Sequence, residues 1–238
     1  MIPGRDDDPY IAWRPPFPEP DIRPGQAALL IVDMQRHSAH PDGATLRKVR
    51  AAGFPDVADQ FCERLATIVP NIQRLQTGFR DAGLEVIHVR IASMTADGRD
   101  RGPSHKKLGH VAAPDSRDAE ILAELAPVGD ELVFSKTAGS VFCATNIEYV
   151  LRNLGITTLI VTGIVTTGCV HTAVTDAADR GFHVILVEDG CGALVPEMHW
   201  ASIRILRDVY AKIMTTDAAL DRVRALQDRM APKVEAAR

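Results

Sequence analysis

The chain has 238 residues, 46% hydrophobic and 24% charged, ordinary globular proportions that exclude wholesale disorder and allow a sizeable core. A formal charge of −4 argues against a nucleic-acid binder and a basic membrane-surface protein, and no apolar run approaches the ~18 residues of a membrane span. The acidic, proline-bearing start MIPGRDDDPY lacks the apolar segment of a secretory signal, and the four cysteines form no CxxC pair, so a cytoplasmic protein with free thiols is expected.

Residues 1–26 carry seven prolines with Tyr10 and Trp13, and read as an extended arm on the surface or on a neighbouring subunit. A single domain is expected over 27–238. Apolar strands are predicted at 27–32, 84–89, 131–134, 157–162 and 183–187, with a short sixth at 212–214. Helices are predicted between them at 68–82, with Pro70 in the first turn, and at 146–154, 169–180, 196–210 and 218–230. Gly83, Gly155 and Gly181 stand where helices should stop. This alternation predicts a three-layer α/β/α fold around a mostly parallel six-stranded sheet. The aperiodic stretches 35–55 and 92–116 follow strand ends, which makes them natural lids over the face where such folds bind ligands. The basic cluster 99–107 reads as a solvated loop.

Asp33, Lys136 and Cys169 stand at or just past three strand ends. Singly, each has an ordinary reading as a turn former, a solvated cation or a small buried hydrophobe. Together they converge on one face of the sheet. In VTGIVTTGCV, residues 161–170, two glycines bracket a turn that leads into a helix beginning at Cys169. A thiol there meets the positive end of a helix dipole and backbone amides, which favours the thiolate and supplies oxyanion donors. The glycine spacing also suggests a phosphate loop, but Cys169 occupies the place of the required lysine.

ALLIVDMQ (Ala28 to Gln35), KTAGSVF (Lys136 to Phe142), LIVTGIVTTGCVHTAVTDAADRGF (Leu159 to Phe182) and VEDGCGA (Val187 to Ala193) resemble the isochorismatase-like cysteine hydrolases. The resemblance spans about residues 26–216 and is nearest the N-carbamoylsarcosine, ureidoacrylate and biuret amidohydrolase branch. It implies a catalytic triad of Asp33, Lys136 and Cys169. It further implies a cis peptide between Ile164 and Val165, with the Val165 and Cys169 amides as an oxyanion hole. The implied activity is hydrolysis of a C–N bond in a small carbamoyl or ureido amide, through a thioester and with release of ammonia. A homo-oligomer is implied as well, a tetramer before a dimer.

The chain also departs from the family. The Asp-x-His metal pattern of nicotinamidases is missing from VIHVRIASMTADGRD, so no metal and no cofactor are implied, and His88 reads as a packed strand residue. True isochorismatases lack the nucleophilic cysteine, so Cys169 argues against vinyl-ether hydrolysis, which stands as the alternative enzyme reading beside a non-catalytic binding protein on the same fold. Gln35, Arg36, His37 and Arg90 are candidate substrate contacts at strand ends, and Phe142 is either a pocket wall or a core aromatic. Cys143 reads as a core thiol, and Cys191 is given no role.

Overall fold

The computed structural model describes residues 8–230. The first seven residues of the arm and the last eight of the chain lie outside the described residues.

Strand β1 (Ala27–Val32) is closed to solvent along its whole length because both its faces are covered. Leu29 and Ile31 enter one hydrophobic core, while Ala28, Leu30 and Val32 enter the other. β1 is followed by short helices α1 (Arg36–Ala39) and α2 (Ala44–Ala51), then by α3 (Pro55–Asp81). Next come β2 (Glu85–Ile91), α4 (Pro103–Leu108), β3 (Leu132–Lys136), α5 (Val141–Ala144), α6 (Ile147–Asn153) and β4 (Thr158–Ile164). A π-helical turn, Thr166–Val170, runs into α7 (His171–Asp179). The chain continues through β5 (His183–Gly192), α8 (Pro196–Leu206), β6 (Lys212–Met214) and α9 (Thr216–Met230).

All six strands are parallel, in the order β3-β2-β1-β4-β5-β6. From β1 the chain moves outward to β2 and β3, then returns to place β4 on the other side of β1. The reversal opens a crevice at the carboxyl ends of β1 and β4. Among the described residues no helix is long and apolar enough to cross a membrane.

Two local expectations change. Helix α3 starts at Pro55, not near residue 68, and runs straight through Pro70. Its buried stripe of Ala58, Phe61, Leu65, Ile68, Ile72, Leu75 and Phe79 alternates spacings of three and four and holds the helix against the sheet. Pro70 sits on the exposed side, so the cost of its missing N–H is offset by that packing. The basic segment expected to be a solvated loop instead holds α4, with Pro103 at its start and Gly109 at φ 62 as its left-handed stop.

The described part of the arm lies along its own domain. The buried Asp8 carboxylate accepts from Arg204 Nε and Nη2 at 2.7 and 2.8 Å, and Ile11 and Ile22 are buried. Trp13 is left exposed, with the Arg14 guanidinium 5.1 Å from its ring.

Candidate active site

Three strand ends deliver three ionisable side chains to one point. Asp33 leaves β1 with φ 54, its N–H held by Val89 O at 2.8 Å. Lys136 is the last residue of β3, in register with Ile91 and fully buried. Its Nζ lies 2.9 Å from Asp33 Oδ2 and 3.1 Å from Cys169 Sγ, and it donates to Ala138 O at 3.2 Å.

Cys169 is carried by the turn after β4. There Gly163 has φ 111, and a Cβ at this position would meet Val32 O at 2.0 Å across the β1–β4 pairing, so only glycine fits. The next peptide, Ile164–Val165, is cis. Cys169 lies within the π-helical turn, two residues before α7 begins, and not at a helix start as expected. The turn is held by Thr166 Oγ1 against His199 Nδ1 at 2.8 Å, and by Thr172 Oγ1, which donates to Gly168 O and Cys169 O.

The electrostatics correct the expected thiolate. Burial, reinforced by the Asp33 charge and opposed by Lys136, pushes the Cys169 thiol up to about 12. Burial also raises the Asp33 carboxyl, against the pull of Lys136. For Lys136, burial alone would lower the ammonium, but Asp33 and Cys169 more than reverse it. Burial therefore holds the resting thiol neutral beside the Asp33–Lys136 ion pair.

Asp33 and Cys169 open onto a cavity of about 280 Å³. Ile91, Leu108, Ile164, Val165 and Leu194 form its apolar wall, and Ser38, Thr45, Ser104, His105, His110 and Thr172 are its polar lining. The stretches expected to be lids do roof it, partly as the short helices α1, α2 and α4.

The proposed substrate contacts fare differently from the triad positions, and none of the five lines this cavity. Gln35 is fully buried with its amide spent on the sheet: Nε2 donates to Ile91 O at 2.9 Å and Asp118 O at 2.8 Å, and Oε1 accepts from Ile91 N. Arg90 donates to Ser135 Oγ and Ala119 O. Phe142 packs on Phe182 in the core. His37 is buried behind the wall, Nδ1 beside Ser38 Oγ at 2.9 Å, and Arg36 is anchored through its N–H to Glu120 O. Cys143, read as a core thiol, is exposed. His88 is packed as expected, its Nε2 3.2 Å from Glu131 Oε2.

Sequence reasoning missed His105 and His110 as cavity residues. The only local signal was the Pro103 and Gly109 punctuation of a short helix, which would have given residue 105 an inner face. The rings of His37 and His110 are 5.3 Å apart and those of His105 and His110 5.7 Å. Among the described residues no group of three or more His, Cys, Asp or Glu side chains is placed to hold a metal ion.

The isochorismatase domain model matches residues 27–218. N-carbamoylsarcosine amidase of Arthrobacter sp is 31% identical over 170 residues, 69% of this chain and 64% of that protein, so the matched stretch spans just under two thirds of the relative. Ureidoacrylate amidohydrolase RutB of Acinetobacter baylyi is 26% identical over 214 residues, 83% of either chain. Among solved structures, a cysteine hydrolase from Pseudomonas syringae pv. phaseolicola superposes with a TM-score of 0.77 at 27% identity, covering 90% of this chain and 99% of its own. N-carbamoylsarcosine amidase from Thermoplasma acidophilum gives 0.64 at 26% identity, covering 81% and 97%. With residues 27–218 of its 238 matched by the domain model, the chain belongs to the isochorismatase family of hydrolases.

Proposed function

We propose that the protein is a metal-independent cysteine amidohydrolase that cleaves the C–N bond of a small carbamoyl or ureido amide through a thioester, releasing ammonia. The observation that carries this reading is Lys136 Nζ within 3.1 Å of Cys169 Sγ and 2.9 Å of Asp33, the latter two lining one cavity. The names of the two amidohydrolase relatives support cleavage of a carbamoyl or ureido C–N bond.

Asp33 takes the thiol proton as Cys169 Sγ attacks the amide carbon, and the buried Lys136 ammonium holds the resulting charge in place. The carbonyl oxygen becomes an oxyanion received by the Val165 and Cys169 amides. Asp33 returns the proton to the departing nitrogen, leaving a thioester. Water, deprotonated by the same carboxylate, then breaks the C–S bond and restores the thiol. The neutral resting thiol suits this order, because the base is needed at the moment of attack. Vinyl-ether hydrolysis makes no use of a thiol beside Lys136, and a binding protein makes no use of a thiol set against a buried ion pair.

Steady-state ammonia release over primary amides, ureido acids, biuret-like compounds and nicotinamide tests the reading. A carbamoyl or ureido compound should exceed nicotinamide at least tenfold in kcat/KM. The reverse ranking overturns the substrate class, and turnover that survives Cys169→Ala overturns the mechanism. The same proposal includes a homo-oligomer, a tetramer before a dimer, tested by light scattering against the monomer mass of 25.9 kDa.

A further inference from the structure

Two imidazoles, those of His105 and His110, line the cavity onto which Cys169 opens, with no Arg or Lys beside them in its lining. His105 is 4% exposed and its Nδ1 has no hydrogen-bond partner, nor has Nδ1 of His110. Both residues line the cavity, and the segment bearing them is docked: His110 N donates to His105 O at 2.9 Å, and Arg101 Nη1 donates to His110 O at 2.7 Å. Both imidazoles line the cavity and each has a buried nitrogen without a partner, so the rings keep hydrogen-bonding capacity that a ligand can satisfy.

The cations nearby are committed elsewhere. Lys136 is buried beneath Asp33, Lys48 Nζ donates to the Leu108 and Gly109 carbonyls, and Arg101 Nε donates to Gly98 O. Among the described residues, no Arg or Lys lines the cavity. An anionic group entering it would leave water without gaining a paired charge.

Resting on the cysteine amidohydrolase reading, we infer that the substrate is an uncharged compact amide or urea whose polar group is hydrogen-bonded by His105 and His110, and that amides bearing a carboxylate are rejected. Burial, with Lys136, His110 and Arg101 around it, holds His105 near 4, so at neutral pH the ring offers a neutral nitrogen. His110 is lowered likewise by burial, Lys48, Lys136 and Arg101.

The full chain supplies its own test, because Cys143 is exposed and serves as an internal reference for Cys169. Iodoacetamide and iodoacetate differ only in amide against carboxylate. With either, the thiol proton passes to Asp33, the S–C bond forms and iodide leaves. Labelling at both cysteines is followed by peptide mass spectrometry at pH 7.5. The iodoacetate-to-iodoacetamide rate ratio at Cys169, divided by the same ratio at Cys143, is expected to be about one-tenth. A value below one-fifth supports the inference, and a value at or above it overturns it while leaving the nucleophile standing. Failure of both reagents at Cys169 overturns the amidohydrolase reading together with this one. His105→Lys, verified as folded by its thermal transition, should raise the ratio at least fivefold. An unchanged ratio in that variant would remove His105 from contact with the bound group.

Discussion

The Asp33 carboxylate and the Lys136 ammonium sit 2.9 Å apart with 2% and 0% of their side chains exposed, so neither charge can be removed without stranding the other inside the protein. The pair is a structural element as well as chemistry, since the cost of a lone buried charge is several times that of an exposed one.

Lys136→Met should therefore lower the unfolding free energy by about 3–5 kcal/mol, read from urea titrations, in addition to abolishing turnover. Cys169→Ser carries no charge and should keep the wild-type urea midpoint while losing turnover. Asp33→Asn should also be nearly inactive. Retention of more than about a tenth of kcat, a loss under ~1.4 kcal/mol, by Cys169→Ser or Asp33→Asn would exclude that residue from the reaction.

Stability should fall as the solution is acidified from pH 6.5 toward 4. His37, His105 and His199 are each held near 4 by burial, against an ordinary value of 6.5. Across that window the unfolded chain binds protons that the folded chain refuses, so the stability fully present above 6.5 is lost as pH drops through 4. Asp33 and Glu188, raised by burial, work in the opposite sense, against these three and the likewise lowered His88, His110 and His171. Urea midpoints at pH 7.5 and 4.5 check this, with the lower midpoint expected at 4.5. Equal midpoints would mean that the imidazoles are not buried as neutral groups.

Gly163→Ala should be far more damaging than Gly53→Ala, although both glycines have positive φ. At Gly53 a Cβ meets nothing within 4 Å, so only the left-handed backbone cost of about 1–2 kcal/mol is incurred. At Gly163 the Cβ would overlap Val32 O, and the turn carrying Cys169 must move. Loss of turnover in Gly163→Ala with near-normal turnover in Gly53→Ala is the expected outcome of parallel denaturation and activity measurements.

Incubation with EDTA followed by gel filtration should leave the ammonia-release rate unchanged, because the proposed chemistry is complete in Asp33, Lys136 and Cys169. Loss of activity restored by a divalent metal would overturn the metal-independent reading.

Local pattern accounts for much of the fold. β1 and β6 are found at the residues predicted and β2, β3 and β4 within two residues at either end, while β5 runs five residues further, to Gly192; the inner strands are legible because a strand buried on both faces has to be a continuous apolar run. Gly83, Gly155 and Gly181 do adopt positive φ after their helices. The start of α3 was less legible: placing Pro70 in a first turn begins the helix at 68, whereas the 27-residue helix is held by a stripe on the face opposite Pro70.

Side-chain destinations are another matter. Gln35 and Arg90 were polar residues at strand ends, the right chemistry in the right place, yet their donors close onto backbone carbonyls 56, 83 and 29 residues away, contacts invisible to any local window. His105 lay in a basic run that looked solvated, and only the docking of its short helix turns the imidazole inward.

The sequence by itself determined the parallel three-layer architecture and the positions of Asp33, Lys136 and Cys169, because strand periodicity and strand-end placement are local properties. Tertiary structure alone decided that the thiol rests protonated and that the cavity wall is imidazole and aliphatic rather than cationic. Both depend on burial and on which distant groups meet, and desolvation is a property of the packed molecule that no stretch of chain possesses alone.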